Sequence, residues 1–286
     1  MKHAINTWDF HFHSNLSDGA HSPEELADFC VAAGLTAAAL TDHDTTAGIS
    51  RFRAAAADRF RVISGIEFSS RWQRQNIHVV GLGFDVNHAA IIEMIELQTQ
   101  LRNERNSKIA KRLAKLVAGE PDILALAQAH SGEGQLCRPH FAQVMVDLGL
   151  ANDTGRVFDR WLGNGKPAAA SIEWPDISAV VAAIASAGGL AVIAHPMHYK
   201  MTRSKLESLM ADFAEYGGHA VEVATPDLQL NGVQSLIDRA AKYGLIASGG
   251  SDFHNSSWGG RGVGKFPQLP ENTASVVSAL VAGEAL

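Results

Sequence analysis

Residues 7–18 read TWDFHFHSNLSD. Trp8, Phe10 and Phe12 alternate with Asp9, His11 and His13, a period of two that predicts a strand. Successive side chains of a strand point to opposite faces, so His11 and His13 share one. Two imidazoles side by side on a rigid element make a metal chelate. Asp18 follows shortly after, in a polar turn. Taken alone, the His-x-His pair fits a packed core strand equally well. The rest of the chain decides between the two.

Downstream, Ser22-Pro23-Glu24-Glu25 supplies an N-cap, a proline for the first helical position and a capping-box glutamate, and Gly34 closes the predicted helix. An apolar strand then ends at Asp42-His43-Asp44. A helix over about residues 47–58 leads to a strand ending near Glu67, and the next strand, NIHVVGLGF, carries His78. Strands alternate with helices, and polar clusters fall near strand ends, as in a β/α barrel or wound sheet. Glu67 alone reads as a solvated strand-end carboxylate and His78 alone as a satisfied core histidine. Either reading is reasonable alone, but not for all of these residues together.

From His88 the pattern changes to one long helix, to about residue 118, whose second half carries Arg102, Arg105, Lys108, Lys111, Arg112 and Lys115. The expectation for such a basic face is solvation. Shorter helices are predicted over about 122–130, 139–148 and 154–162, with no strand signal between about 88 and 170. This predicts a helical insertion (residues 101–167) between two parts of one α/β barrel (1–100 and 168–286). Within it, Leu136-Cys137-Arg138-Pro139-His140-Phe141 places Arg138 and His140 at a helix N-terminus, an anion site to which arginine adds a two-pronged fork. An ordinary capping turn is the alternative. The α/β rhythm then resumes. LAVIAHP ends at His195, HAVEVATP follows, and GLIASGGSDFH ends with Asp252 and His254 in the same spacing as His11 and His13. The glycine-rich stretch Trp258-Gly259-Gly260-Arg261-Gly262 is predicted to be a loop near that end.

Composition bounds the function. The chain has 286 residues, enough for a large core. Its net charge of −6 excludes a broad basic surface for nucleic acid or membrane, though not a local phosphate pocket. Cys30 and Cys137 are the only cysteines, which argues against a disulfide framework or a thiolate zinc site and fits a reducing compartment. No apolar run approaches about 18 residues and the start lacks a signal-peptide pattern. The expectation is a cytoplasmic protein with no membrane association and no obligate protein partner.

Nine residues therefore gather near strand ends: His11, His13, Asp18, His43, Glu67, His78, His195, Asp252 and His254. Six imidazoles and three carboxylates exceed the needs of one ion. Nine ligands with one bridging carboxylate suit up to three divalent ions, with Mn2+, Zn2+ or Fe2+ better matched than Mg2+. The ordered motifs HFHSNLSDG, TDHD, GIE, the NIHVVGLG histidine, IAHP and GSDFH resemble the PHP (polymerase and histidinol phosphatase) phosphoesterases. The resemblance covers about residues 1–100 and 168–286. It implies a distorted (β/α)7-type barrel with a trinuclear metal centre at the strand ends. It also implies the sharing of ligands: His11, His13, Glu67 and Asp252 on one ion, Glu67 bridging to a second held by His78 and His195, and Asp18, His43 and His254 on a third. Asp9 is expected to orient a ligand histidine.

The insertion with its CRPHF motif resembles the family's nucleotide-acting members. That implies removal of the 3′-phosphate from nucleoside 3′,5′-bisphosphates through attack by a metal-bridging hydroxide, leaving a 5′-mononucleotide. The alternative is 5′-to-3′ hydrolysis of short RNA. Ser14, Arg138 and His140 are the expected phosphate contacts, and His254, His43 or Asp44 the expected source of the leaving group's proton. Lys166, Arg203 and Arg261 are further candidates for a second phosphate. An amidohydrolase reading is weaker, because no position for a carboxylated lysine stands out.

Overall fold

In the computed structural model, which describes residues 6–257 and 261–282, seven strands follow one another around a nearly closed barrel: β1 (Trp8–Asp9), β2 (Ala37–Leu40), β3 (Arg61–Trp72), β4 (Gln75–Leu82), β5 (Leu190–Ile193), β6 (Ala220–Ala224) and β7 (Ile246–Gly249). Neighbours pair in parallel except at β4, which runs antiparallel to both β3 and β5. That reversal is the distortion of the barrel, and it follows from a hairpin. Gln73 takes a positive φ of 53°, turning β3 straight back into β4 without a crossover helix. The expected (β/α)7-type architecture is borne out. The short strands β2 and β6 are buried along their whole length, as strands covered by helices on one side and barrel interior on the other must be.

β1 is shorter than the alternation over residues 8–13 predicts. Past Asp9 the chain stays extended, but its partners change. Phe12 and Thr41 exchange hydrogen bonds partly through the threonine hydroxyl. On the other side His11 and His13 pair with the segment after β7: Asp252 N–H donates to His11 O (2.8 Å) and His13 N–H to Phe253 O (2.9 Å). These two bonds bring the first and last strands together. Gly250 is required there, because a Cβ on it would lie 2.3 Å from that of His11.

Helices cover the outside: α1 (Pro23–Ala32), α2 (Ile49–Ala56), then, beyond the insertion, α7 (Ile177–Ser186), α8 (Arg203–Glu215) and α9 (Leu230–Ala241). α1 starts with the capping box read from the sequence, Ser22 with Glu25. Between β4 and β5 lie α3 (Ala89–Ala114), α4 (Ile123–Ser131), α5 (Arg138–Asp147) and the short α6 (Thr154–Val157). α3 belongs to two cores. Ile91 and Met94 pack into the barrel's outer layer, while Ile109 and Leu113 pack with Ile123, Phe141, Met145 and Leu162 in a separate cluster. The sequence-based division at residue 100 thus falls inside one continuous helix. The insertion returns to the barrel edge at residues 131–137, where Gln135 N–H donates to Leu16 O (2.8 Å) and its side chain to Asp44 O (3.1 Å).

Candidate metal centre

The nine predicted ligands converge at the end of the barrel where the parallel strands finish. His11 and His13 come from the extension of β1 and Asp18 from the turn after it. His43 follows β2, Glu67 lies in β3, His78 in β4, His195 just after β5, and Asp252 and His254 after β7. They form four overlapping groups, each with ligand atoms within 4.8 Å of one another: His13, Asp18, His43 and His254; His11, Glu67 and His195; His11, His13 and Asp252; and His43, Glu67 and His78. Glu67 is central. Its Oε1 lies 2.9 Å from both His78 Nδ1 and His195 Nε2, and its Oε2 lies 2.8 Å from His43 Nδ1 and 3.3 Å from His13 Nε2. His11, His13, His43 and Glu67 each belong to two of the groups.

The donor atoms are of the kind that a cation satisfies. His13 Nδ1 and Asp252 Oδ1 are buried with no hydrogen-bond partner among the described residues, and His43 Nδ1 and Glu67 Oε2, 2.8 Å apart, meet without hydrogen-bond geometry. Leaving such an atom unpaired costs about 1–3 kcal/mol, so four clustered in one spot point to bound ions. The protonation states agree. Burial pushes His13 down to about 3, helped by the neighbouring His254, and a neutral imidazole is the ligating form. Burial alone would raise Glu67, but His43, His78 and His11 hold it well below the usual carboxylate range. Asp18 and Asp252 are likewise held low against burial by surrounding histidines.

Three ligands or their neighbours sit in left-handed backbone: Asp44 (φ 53°), His195 (28°) and Asp252 (46°). Such strain, about 1–3 kcal/mol each, persists only where neighbours over-determine the conformation. Here they do, because the amide of each is bonded: Asp44 N–H to Glu67 O (2.9 Å), His195 N–H to Glu222 Oε2 (2.6 Å) and Asp252 N–H to His11 O.

Glu222 escaped the sequence reading. It lies in β6, is 1% exposed, and accepts from His11 Nδ1 at 2.7 Å. That bond places the proton on Nδ1 and turns Nε2 toward the other ligands. The only signal was a lone charge inside the apolar strand HAVEVA. Asp9, the expected orienter, does something else. Its carboxylate accepts the backbone N–H groups of His11 (3.2 Å), Ser251 (3.0 Å) and Gly264 (2.7 Å), so it fixes chain segments rather than an imidazole ring. Burial raises it to about 6.

Two other expected residues are placed differently from their assigned roles. Ser14 is fully buried and its hydroxyl donates to Asp42 Oδ2 (2.6 Å), leaving it no free face for a phosphate. Asp42 also accepts from Ser14 N–H and Ser17 Oγ, and so shapes the turn that presents Asp18. Asp44 is also fully buried. Its carboxylate accepts from Arg102 Nε and Ser69 N–H, each at 2.6 Å, which removes it as a proton donor to a substrate. His43 and His254 remain at the cluster, each slightly exposed.

The basic face of α3 also departs from expectation. Lys108, Lys111, Arg112 and Lys115 are exposed, but Arg102 is 4% exposed and Arg105 half-buried. Gln98, Arg102 and Asn106 continue the buried stripe of Ile91, Met94, Ile109 and Leu113 at helical spacing, which is the pattern that could have revealed them. Arg102 Nη1 also reaches Cys137 Sγ (3.2 Å). Next to Cys137, Arg138 stacks 5.8 Å from the Phe158 ring and lies 3.5 Å from Asn164 Oδ1. The charge of Asp18 acts on both Arg102 and Arg138. His140 caps α5, its Nδ1 accepting Cys137 N–H at 3.0 Å, and it lines a cavity of about 580 Å³ that also borders Asp18 and Asn255. Among the remaining basic candidates, Arg203 is paired with Glu207 (3.1 Å) and Arg261 with Asp227 (3.0 Å), while Lys166 is exposed. Residues 258–260 of the predicted glycine-rich loop lie outside the described residues.

A barrel with imidazoles and carboxylates massed at its strand ends, beside the buried guanidinium of Arg102 and the half-buried one of Arg138, defines a candidate divalent-metal site suited to anionic substrates. The chain belongs to the PHP domain family, whose model matches residues 9–156, as the ordered motifs imply. It is 38% identical over 270 residues to a 3′,5′-nucleoside bisphosphate phosphatase from Chromobacterium violaceum, covering 92% of each chain. It is 39% identical over 248 residues to a 5′-3′ exoribonuclease from Haemophilus influenzae, covering 86% of this chain and 89% of that one. In three dimensions it matches a structure from Chromobacterium violaceum described as an amidohydrolase with bound sulfate and no metal (TM-score 0.88, 36% identity, 97% and 96% of the two chains).

Proposed function

We propose that this protein is a metal-dependent phosphoric monoester hydrolase that removes the 3′-phosphate from nucleoside 3′,5′-bisphosphates. The observation that carries the proposal is the junction of the nine-ligand cluster with the guanidiniums of Arg102 and Arg138, on both of which the charge of Asp18 acts. The 38% identity to a phosphatase of that specificity supports it. Residues 101–167 act as a substrate cap on the barrel.

Ligation by His11, His13, Asp18, His43, Glu67, His78, His195, Asp252 and His254 would hold up to three divalent ions. The mixture of imidazole and carboxylate without thiolate suits Mn2+, with Fe2+ or Zn2+ as substitutes. When bound, the ions supply Lewis acidity at phosphorus and a water acidic enough to be deprotonated near neutral pH. The chain does the rest. Glu222 and Asp9 keep His11 in register. Asp42 fixes the turn of Asp18. Arg138, flanking Asp18, holds the non-bridging phosphate oxygens and stabilises the charge that builds there. Asp44 is committed to Arg102 and so does not supply the proton to the departing 3′-oxygen. Two buried free thiols fit a reducing, cytoplasmic setting, and among the described residues no helix is long and apolar enough to cross a membrane.

A second reading, 5′-to-3′ hydrolysis of short RNA, has two supports. One is the 39% identity to an exoribonuclease. The other is the cavity beside Asp18 and His140, whose volume of about 580 Å³ exceeds what a single phosphate fills. Product chromatography after incubation with each substrate separates the two. The phosphatase reading expects inorganic phosphate and a 5′-mononucleotide from the bisphosphate. Mononucleotides released stepwise from RNA, with the bisphosphate untouched, would replace it by the exonuclease reading.

A further inference from the structure

Arg102 and Arg105 are one turn apart on α3, and each carries a full positive charge into a poorly hydrated space. Arg102 has a counter-ion in Asp44. Arg105 does not: its Nε is buried with no hydrogen-bond partner among the described residues. The group that faces both is the indole of Trp174. Its ring centre lies 5.3 Å from the Arg105 guanidinium carbon and 5.7 Å from that of Arg102. Trp174 is 5% exposed and sits where the insertion rejoins the barrel. It stands on fixed backbone, because Arg71 N–H donates to Pro175 O (2.9 Å) and Arg71 bridges Asp176. Arg138 repeats the arrangement on a smaller scale over Phe158.

We infer that Trp174 is a positioning residue for substrate, an aromatic platform that holds Arg102 and Arg105 together and leaves the Arg105 guanidinium free for a phosphate. The inference rests on the phosphate-ester reading above. The physics runs from the ring quadrupole. The negative face of an indole attracts a desolvated guanidinium without occupying any of its N–H donors. A carboxylate in the same place would neutralise the arginine and consume its fork, as Asp44 does for Arg102. An apolar side chain would leave Arg105 facing the charge of Arg102 with no compensation of its own. The electrostatics agree that cations outweigh anions around Arg105, Asp44 being paired with Arg102. Burial, followed by the neighbouring charges of Arg102 and Arg138, pushes Arg105 down to about 9, a penalty that a bound phosphate would relieve.

The test uses the full-length, metal-loaded enzyme with Trp174→Leu, which keeps apolar bulk without a ring, and Trp174→Phe, which keeps a smaller π face. The readouts are kcat and KM on a nucleoside 3′,5′-bisphosphate, sulfate affinity by calorimetry and metal content. The expectation for Trp174→Leu is a roughly tenfold rise in KM and a matching loss of sulfate affinity, the worth of one desolvated cation–π contact. Its kcat should stay within about twofold and its metal content should not change. Trp174→Phe should lose about threefold, and that loss should vanish in an Arg105→Met background. The inference is overturned if Trp174→Leu binds sulfate and substrate like the parent, if Phe is as damaging as Leu, if the loss appears only in kcat, or if the Phe effect persists without Arg105. Should Trp174→Leu fail to fold, the Trp174→Phe and Arg105→Met cycle still decides. If the parent enzyme releases no phosphate, the reading of function fails, and the sulfate titrations still judge Trp174 separately.

Discussion

Replacing Glu222 by glutamine tests how far the centre depends on a residue that touches no metal. The carboxylate serves two buried donors at once, His11 Nδ1 at 2.7 Å and His195 N–H at 2.6 Å. An amide of the same shape has one accepting oxygen, so it satisfies one donor and presents an NH2 to the other. The charge-assisted bond to His11 weakens by about 1 kcal/mol, and a buried donor left facing an NH2 adds about 1–3 kcal/mol. Relaxation recovers part of this, leaving a loss of about 2 kcal/mol, or roughly thirtyfold in metal affinity. That falls within the 10–100-fold range known for groups that orient ligand histidines. Chelator competition on the refolded, metal-free protein measures it, with circular dichroism to confirm the fold. Activity at saturating metal should recover most of the loss in kcat. Parent-like metal affinity in a folded Glu222→Gln protein would refute the reasoning and reduce Glu222 to barrel packing.

Arg138→Ala should raise KM for nucleotide substrates by roughly 10–100-fold, the loss of one charged hydrogen-bonding partner, with metal content unchanged; parent-like kcat/KM would make Arg138 an ordinary capping residue. Asp44→Ala should destabilise the protein by about 3–5 kcal/mol, because it strands the buried Arg102 charge, and denaturant unfolding of the metal-free protein reads the change directly. Metal binding should release protons. In the metal-free protein burial disfavours the charge on His254, but Asp18 and then Asp252 outweigh it and raise the ring to about 9. Below that pH an incoming ion must displace the proton, so affinity at this group should fall about tenfold per pH unit from 9 toward neutrality. Calorimetry in buffers of different ionisation heat measures the release, and a value near zero at pH 7.5 would contradict it.

The convergence of the nine candidate residues was legible because chelation demands particular side chains at strand ends, and few sequences place His-x-His, Asp-His-Asp and Asp-x-His there by accident. The barrel was legible for the same reason that its strands are buried: apolar runs alternate with capped helices. What the sequence concealed was partnership. Asp9 and Glu222 are both buried acids beside His11, and only coordinates show that one holds backbone while the other holds the ring. Ser14 and Asp44 sit next to ligands in the chain yet are turned into the scaffold by Asp42 and Arg102, a tertiary choice with no local signal. Arg102 and Arg105 looked solvated because a charge run defaults to water. The counter-ion that buries Arg102 comes from a loop 58 residues away. The two-residue length of β1 likewise reflects closure against residues 252–254, which periodicity cannot express.

The central claim is that a metal cluster built on His11, His13 and Glu67 hydrolyses a nucleotide 3′-phosphate. Its most direct measurement is phosphate release from adenosine 3′,5′-bisphosphate by the Mn2+-loaded protein, with the nucleotide product identified by chromatography. The account predicts inorganic phosphate and the 5′-monophosphate in equal amounts, abolished by chelation, restored by Mn2+, and lost in Glu67→Ala together with bound metal. A metal-replete protein that releases no phosphate, or a Glu67→Ala variant that keeps both metal and turnover, would contradict it.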